Sequence, residues 1–517
     1  MRNAFIYASI VAMGGLIFGL DAALISGTVG FITKEFDLTA IQQGMAVGAP
    51  AFGVLIALLF AGFLSNRFGR KRTIQLIAAL YVISAVGSAL ATSYWMLVAA
   101  RFLGGLAFTS ISLAAMYIGE IAPSKLRGKL VSMIQILIVV GLSGAYYINN
   151  YILKAVKAGA EWAVTYGVDD NVWRWMLGSE ILPALIWFVL LIFIPRSPSW
   201  LMFKGREEEA RASLRKLIPE DQIDHHIKEM KKSLEKSDQS HSLGAQFKEM
   251  MSQPMRVILI VAVTIAIAQQ ATGINAILFY APTVFEQLGM GTDAAFTQTT
   301  WIGLTSVVFT LLSLLLVDKL GRRPLIIWGM VWIIASLGLA AFGFSQARYT
   351  LTEDDLTELS DVVNSERLAP MIGTEYENDI AFKNELIAVL GETDARNHSS
   401  VLLQKAATMN ASLILFSILS IIAAFHFSVG PVMWVLFSEI FPISIRGIAI
   451  PVVTFITSFV SWLVQQFFPW QLANMGGTSI FLFYAGSVFL GLVILYKYLI
   501  ETKGLSIEEI QAKLAIK

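Results

Sequence analysis

Apolar runs long enough to cross a bilayer recur along this chain, separated by short polar breaks. A helix needs about 20 apolar residues to span the hydrocarbon core. Runs that qualify lie near residues 5–30, 42–64, 74–93, 96–119, 130–152 and 175–194, then near 256–286, 296–317, 324–344, 411–438, 447–468 and 477–499. The pattern predicts an all-α membrane protein of about twelve transmembrane helices. The first run is longer than the apolar region of a secretory signal and has no clean cleavage site before the second, so it reads as a span.

Basic residues fall in alternate loops. Arg67, Arg70, Lys71 and Arg72 share one short loop, and Lys125, Arg127 and Lys129 lie two loops on. Lys319, Arg322 and Arg323 repeat the pattern in the second half. Lys34 stands in one intervening loop, and no Lys or Arg lies between Gly289 and Thr300. An even number of spans puts both termini on one side, and the positive-inside rule makes that side the cytoplasm. The string E-I-x-P-x-x-x-R-G occurs at Glu120–Gly128 and again at Glu439–Gly447, and N-R-F-G-R-K-R at 66–72 is echoed by D-K-L-G-R-R at 318–323. Each copy follows the same ordinal helix of its half, the second or the fourth. Such parallel repeats are related by an axis along the membrane normal, with a substrate site near the midplane between them. The chain therefore divides into an N-terminal six-helix bundle at 1–200, a cytoplasmic helical linker at 201–253 and a C-terminal six-helix bundle at 254–517. The last is interrupted by an acidic outer insertion at about 345–405, which reads as a solvated connector with weak helical patterns.

Composition narrows the function. Hydrophobic residues make up 56% of the chain and charged residues 15%, against about 25% charged in soluble domains. Much of the surface must face lipid, so the bilayer itself is a partner. A net charge of +1 argues against nucleic acid. With no cysteine there is no thiolate, disulfide or iron–sulfur chemistry. There is no phosphate-binding Gly-rich loop for ATP, no metal-ligand cluster and no Ser–His–Asp arrangement, so neither a cofactor nor an enzymatic activity is expected. His225 and His226 adjoin in a charged stretch and read as solvated.

Eight strings together resemble the sugar-porter family of the major facilitator superfamily. They are FGLDAALISG (18–27), SNRFGRKR (65–72), MYIGEIAPSKLRGKLVSMIQ (116–135), SPSWLMFKG (197–205), QQATGINAILFYAP (269–282), DKLGRRPL (318–325), GPVMWVLFSEIFPISIRG (430–447) and ETKGLS (501–506). The resemblance implies two pseudo-symmetric six-helix bundles and alternating access, in a protein similar to bacterial proton-coupled monosaccharide symporters. Several positions depart from the family pattern. Pro195, Arg196 and Ser197 stand where the family has P-E-S, Asn66 where the superfamily prefers Asp, Phe279 where Tyr is common and Leu142 where some members have a second Gln. Thr457, Ser458 and Ser461 stand where some members place a Gln, a Trp and an Asn.

Three constellations carry candidate chemistry. Asp21, Arg101 and Glu180 are charges inside spans, and each costs about 2.5–3.5 kcal/mol at mid-helix unless it is paired or used. Asp21 lies about 15 residues into a rising helix, roughly 22 Å up, and the other two come early in descending helices, at similar depth. The structural reading is a static ion pair. The functional one is a proton switch, and the resemblance supports it, because proton-coupled porters carry the Asp of F-G-x-D where facilitative ones have Asn. Gln135, Gln269, Gln270 and Asn275 are neutral amides in apolar spans, able to donate to and accept from sugar hydroxyls. Gly273 would loosen the seventh helix between them, Trp434 offers an aromatic face, and Phe18 and Phe279 are candidates to line the pocket. Glu120, Arg127, Glu439 and Arg446, with Arg67, Arg70, Arg322 and Arg323, form an inner charge set. Pairing across the halves would close an inner gate.

These features point to proton-coupled symport of a monosaccharide across the cytoplasmic membrane by a protein that works as a monomer. A facilitative uniporter of a sugar or polyol, with Asp21 structural, is the alternative. A non-transporting sugar sensor is disfavoured, because such proteins tend to have long cytoplasmic tails and here little follows Gly504.

Overall fold

The computed structural model describes residues 2–108, 110–122, 126–237, 243–355, 365–505 and 509–510. Twelve helices in it are long and apolar enough to cross a membrane. They are Asn3–Gly27, Ala40–Phe68, Arg70–Ala89, Tyr94–Ile121, Gly128–Lys157, Asp169–Phe193, Arg256–Phe279, Thr292–Leu320, Arg322–Ser345, Ala411–Ile440, Ser444–Asn474 and Gly476–Tyr498. Each of the twelve apolar runs in the sequence became one of them.

Local chemistry sets several boundaries. Thr39 starts the second span with a capping box: its Oγ1 accepts from the Gln42 N–H, and Gln42 Oε1 accepts from the Thr39 N–H at 2.9 Å. A single residue joins the second span to the third and the eighth to the ninth. Both are glycines, Gly69 at φ +84° and Gly321 at φ +92°, a turn that a Cβ would strain. The sixth, seventh and tenth spans are interrupted, the seventh at Ala271–Gly273 and the tenth at Ser428, and the first ends in a 3-10 turn at Ile25–Gly27. Among the described residues the second, third, fifth, eighth, ninth, eleventh and twelfth run continuously.

The first span packs along the fifth, the ninth along the twelfth, the second along the eleventh and the fifth along the eighth. The last two pairs join the halves. At one crossing Gly44 meets the Gln466 carbonyl so closely that an added Cβ would lie 1.8 Å from it. Leu59, Phe63, Leu182, Leu315, Trp328 and Leu490 are among the many large apolar side chains left outside the core, as lipid-facing helices require.

Two polar segments are folded. The stretch after the sixth span forms the helices Pro198–Phe203, Glu207–Leu214, Ile223–Ser237 and Leu243–Met250, and Trp200, Leu201, Leu214 and Ile227 build a small core among the first three of them. The acidic insertion is a correction to the sequence reading. It is a small folded unit rather than a solvated connector. Strands Arg348–Tyr349 and Ala407–Thr408 pair antiparallel at its base, and helices Asp379–Leu390 and Glu392–Ala406 close on Tyr349, Leu351, Met371, Phe382, Leu386 and Leu402. The apolar residues are spaced too irregularly for a strong helical pattern, and the two-residue strands have no sequence signature. Glu358 and Asp361 of the acidic run, and Lys125 of the basic loops, lie outside the described residues.

Candidate functional site

The three charges inside the spans come together. Arg101, on the fourth span, is buried, and its Nη1 lies 3.3 Å from Asp21 Oδ1 of the first span. Its Nε donates to the Ala46 carbonyl of the second span at 3.0 Å, so one guanidinium ties three helices. Glu180, buried at the break in the sixth span, is within electrostatic range of both Asp21 and Arg101. Asp21 Oδ2 and Glu180 Oε1 are buried without a hydrogen-bond partner among the described residues. The set is thus one cation facing two acids, each acid with an unused acceptor.

The amides form a chain around the break in the seventh span. Gln270 Nε2 donates to Gln269 Oε1 at 2.8 Å, and Asn275 Nδ2 donates to Gln270 Oε1 and to Ser461 Oγ, both at 2.7 Å. Gln465 Nε2 adds a bond to Ser461 Oγ at 2.8 Å. Gly273 makes the break possible. It holds φ +74°, and an added Cβ would lie 2.6 Å from the Tyr484 ring. Tyr280 donates to the Gln465 carbonyl at 2.9 Å, and Tyr484 to Gln471 Oε1 at 2.8 Å. The other candidates stand apart from this chain. Gln135 is half-buried on the fifth span, and its side chain makes no hydrogen bond among the described residues. Trp434 is 42% exposed, edge-on to Phe437. Phe18 packs edge-on against Phe108 at 4.5 Å, and Phe279 is half-buried beside the core. Ser461 entered the sequence reading only as a departure from the family. Gln465 and Gln466 were missed, although the Gln–Gln pair at 465–466 matches that at 269–270, again inside an apolar run.

The basic loops carry a charge set that repeats in space as in sequence. Arg70 Nε pairs with Glu120 Oε1 at 2.9 Å, and Ser197 Oγ donates to the other carboxylate oxygen. Arg322 Nη2 pairs with Glu439 Oε1 at 2.8 Å, and Thr502 Oγ1 donates to Glu439 Oε2 at 2.6 Å. Arg322 also pairs with Asp318 at 2.9 Å, whereas at the equivalent place Arg70 reaches the neutral Asn66 at 3.4 Å. Glu501 caps the turn at Gly321, accepting from the backbone N–H groups of Arg322 and Arg323. All these contacts lie within one half. Arg67 sits over the rings of Phe63 and Phe68. Arg446 donates to the Phe441 carbonyl at 3.1 Å, and Arg323 to that of Tyr496 at 3.1 Å. The side chain of Arg127 lies outside the described residues. Arg196, the departure from the family pattern, pairs with Glu209 of the following segment at 3.0 Å.

Bonds between the halves lie elsewhere. Tyr146 donates to the Leu278 carbonyl at 2.6 Å and Gln466 to that of Ile41 at 3.0 Å, and Lys157 pairs with Asp293 at 2.7 Å. The last two lie at the end of the bundle that bears the insertion.

The comparisons with known proteins agree with this architecture. The sequence model of the family described as "Sugar (and other) transporter" matches residues 7–353 and 393–514, leaving out much of the insertion. The chain belongs to that family. It is 31% identical to the arabinose-proton symporter of Bacillus subtilis over 507 residues, 98% of this chain and 93% of the relative. It is 32% identical to the D-xylose-proton symporter of Escherichia coli over 536 residues, 97% and 94% of the two chains. Among solved structures, the partially occluded inward-open form of the xylose transporter XylE from E. coli covers 98% of this chain and 100% of its own, at 28% identity and a TM-score of 0.72. The proton:xylose symporter XylE bound to 6-bromo-6-deoxy-D-glucose gives a TM-score of 0.68 at 29% identity, with 99% of both chains covered. The protein is a major facilitator carrier of twelve spans, a multi-pass membrane protein.

Proposed function

We propose that this chain carries a monosaccharide together with a proton across the cell membrane by alternating access. The observation that carries the reading is the pairing of Asp21 with Arg101 beside a buried Glu180. One cation and two acids are neutral only with one proton bound, and an uncompensated charge buried in a membrane is costly. Gaining or losing that proton as access changes is what coupling requires. The symporters of arabinose and of xylose among the relatives support the same cargo class.

In this reading the amide chain of Gln269, Gln270 and Asn275, extended by Ser461 and Gln465, binds the sugar. The bonds it now makes to itself are of the kind sugar hydroxyls would replace, so the site stays satisfied whether loaded or empty. Gln135, Trp434, Phe18 and Phe279 complete the pocket walls when the halves close around cargo. The basic loops and both termini face the cytoplasm, and the bonds that cross between the halves at the insertion end, Gln466 to Ile41, Lys157 to Asp293 and Arg396 to Asp37, support a carrier closed at its outer end. Glu120 and Glu439 serve the inner gate, each also paired within its own half, with Arg70 and Arg322 bracing the helix ends there, while Arg127 and Arg446 supply the partners that cross between halves when the inner end shuts. Arg67 and Arg323 anchor the loops, and the monomer is the working unit.

Uptake of a panel of labelled sugars into reconstituted vesicles, with and without an inward proton gradient, tests this reading. One or a few monosaccharides should accumulate only with the gradient. Equal uptake without it would make the protein a uniporter, and no uptake of any sugar would remove the cargo class.

A further inference from the structure

The insertion between the ninth and tenth spans touches both halves of the carrier. Its body rests on the C-terminal half. Lys383 pairs with Asp379 at 3.1 Å and donates to the Leu472 carbonyl, near the end of the eleventh span, at 3.4 Å. Asp379 is buried against the next turn, where a Cβ added to Gly476 would lie 2.8 Å from its Oδ1. Gln404 and Ala407 close on the loop between the seventh and eighth spans, at Gly291 and Gly289.

One side chain reaches the other way. Arg396, on the helix Glu392–Ala406, donates through Nη2 to Asp37 Oδ1 at 2.5 Å and through Nη1 to the Leu38 carbonyl at 3.2 Å. Both acceptors belong to the connection between the first and second spans, in the N-terminal half. That connection is fixed in place. Asp37 ends the helix Val29–Phe36 in the left-handed conformation at φ +50°, and the Leu38 side chain is fully buried. The two arms of one guanidinium therefore grip a preset pair of acceptors, a geometry that a lysine cannot reproduce.

We propose that Arg396 is a positioning residue of the transport cycle: it latches the insertion to the 37–38 connection and so sets the fraction of carriers closed at the outer end. This rests on the alternating-access reading above. A bond shifts an equilibrium only by the difference it makes between the two states. The contacts of Lys383, Asp379, Gln404 and Ala407 stay inside the C-terminal half and travel with it. The Arg396 contacts join opposite halves at the end where those halves must part, so outward opening has to break them. Residues 354–392 of the insertion lie outside the match to the family, whereas Arg396 and its acceptors at 37 and 38 lie inside it, so the latch residue stands just past the segment that the family model leaves out.

The test uses single cysteines placed in the outer and inner vestibules of the full chain, which has none of its own. Labelling is compared in the parent, Arg396→Lys, Arg396→Ala and Asp37→Asn. Asparagine tolerates the left-handed conformation, and position 37 lies outside the insertion, so that variant removes the charge of the pair, leaving a neutral acceptor, without disturbing the insertion's fold. Outer labelling should rise severalfold and inner labelling fall in Arg396→Ala, with Asp37→Asn and Arg396→Lys each moving the same way by less. The KM for external sugar should fall in the same order, because a larger share of carriers then presents the binding site outward. A merely structural role for Arg396 would lower thermal stability and move neither ratio. Parent-like labelling in Asp37→Asn and Arg396→Ala overturns the latch. The labelling needs no sugar, so a parent protein that transports nothing would overturn the functional reading alone.

Discussion

The two ends of the bundle differ in how far their charged pairs reach, although the insertion end also has pairs inside one half, such as Lys383 with Asp379. At the basic end, Arg70 with Glu120 and Arg322 with Glu439 pair inside their own halves, and Ser197 and Thr502 complete each glutamate. At the insertion end, Arg396 with Asp37, Lys157 with Asp293 and Gln466 with the Ile41 carbonyl cross from half to half. A pair inside one rigid body moves with it and leaves the conformational equilibrium alone. A pair that crosses exists in one state and is lost in the other. Counting ion pairs near a gate therefore says little until each has been assigned to the body or bodies it joins.

The largest effect is expected between the two ends. Asp21→Asn should abolish accumulation of sugar against a gradient and spare exchange between the two sides, since asparagine cannot titrate. Vesicles measured for uphill uptake and for counterflow decide it, and accumulation by the variant would move the coupling site elsewhere. Next comes the amide chain. Gln270→Ala or Asn275→Ala should weaken sugar binding by about 1–3 kcal/mol, roughly 5- to 150-fold in Kd, with little change in thermal stability. Calorimetric titration checks this, and unchanged affinity in both variants would relocate the pocket.

A smaller effect sharpens the comparison at the insertion end. Burial pushes the Glu286 carboxyl from its ordinary 4.5 up to about 7, with a Thr292 hydrogen bond and the charge of Lys157 pulling the other way. Above pH 7 the group is ionised in either state, and the closed outer end bears the cost of its partial burial. As pH falls from about 7 towards 4.5, the closed end takes up the proton first and is stabilised. Outer-vestibule labelling should therefore fall across that window, and Glu286→Gln should flatten the profile. A slope that survives the substitution belongs to another group.

The smallest effect is expected at the basic end. Arg127→Ala with Arg446→Ala should raise inner-vestibule labelling severalfold, because each crossing pair at a wet gate is worth about 1 kcal/mol or less. Arg70→Ala breaks a pair inside one half, so it should lower thermal stability and leave the labelling ratio near that of the parent. A larger change in ratio from Arg70→Ala than from the double variant would reverse the assignment of the two kinds of pair.

Hydropathy alone determined the twelve spans, since crossing a bilayer takes about 20 apolar residues whatever surrounds them. The repeated strings at Glu120 and Glu439 determined the two-fold plan, because the same loop chemistry recurs after the same ordinal helix. The amides at 269, 270 and 275 were legible for a related reason: polar groups in an apolar run stand out. Tertiary structure decided the rest. Asp21, Arg101 and Glu180 stand far apart in the chain and only helix packing sets their distances. Ser461 and Gln465 joined the amide chain because the eleventh span lies across the break in the seventh, which no local pattern encodes. The insertion looked like a solvated connector because its charges are local, while the core that folds it gathers Tyr349, Met371, Phe382 and Leu402 from separate short elements. Whether each arginine pairs inside its half or across the gap was likewise invisible in the sequence. A charge pair depends on a few ångströms of three-dimensional separation, and sequence distance does not report it.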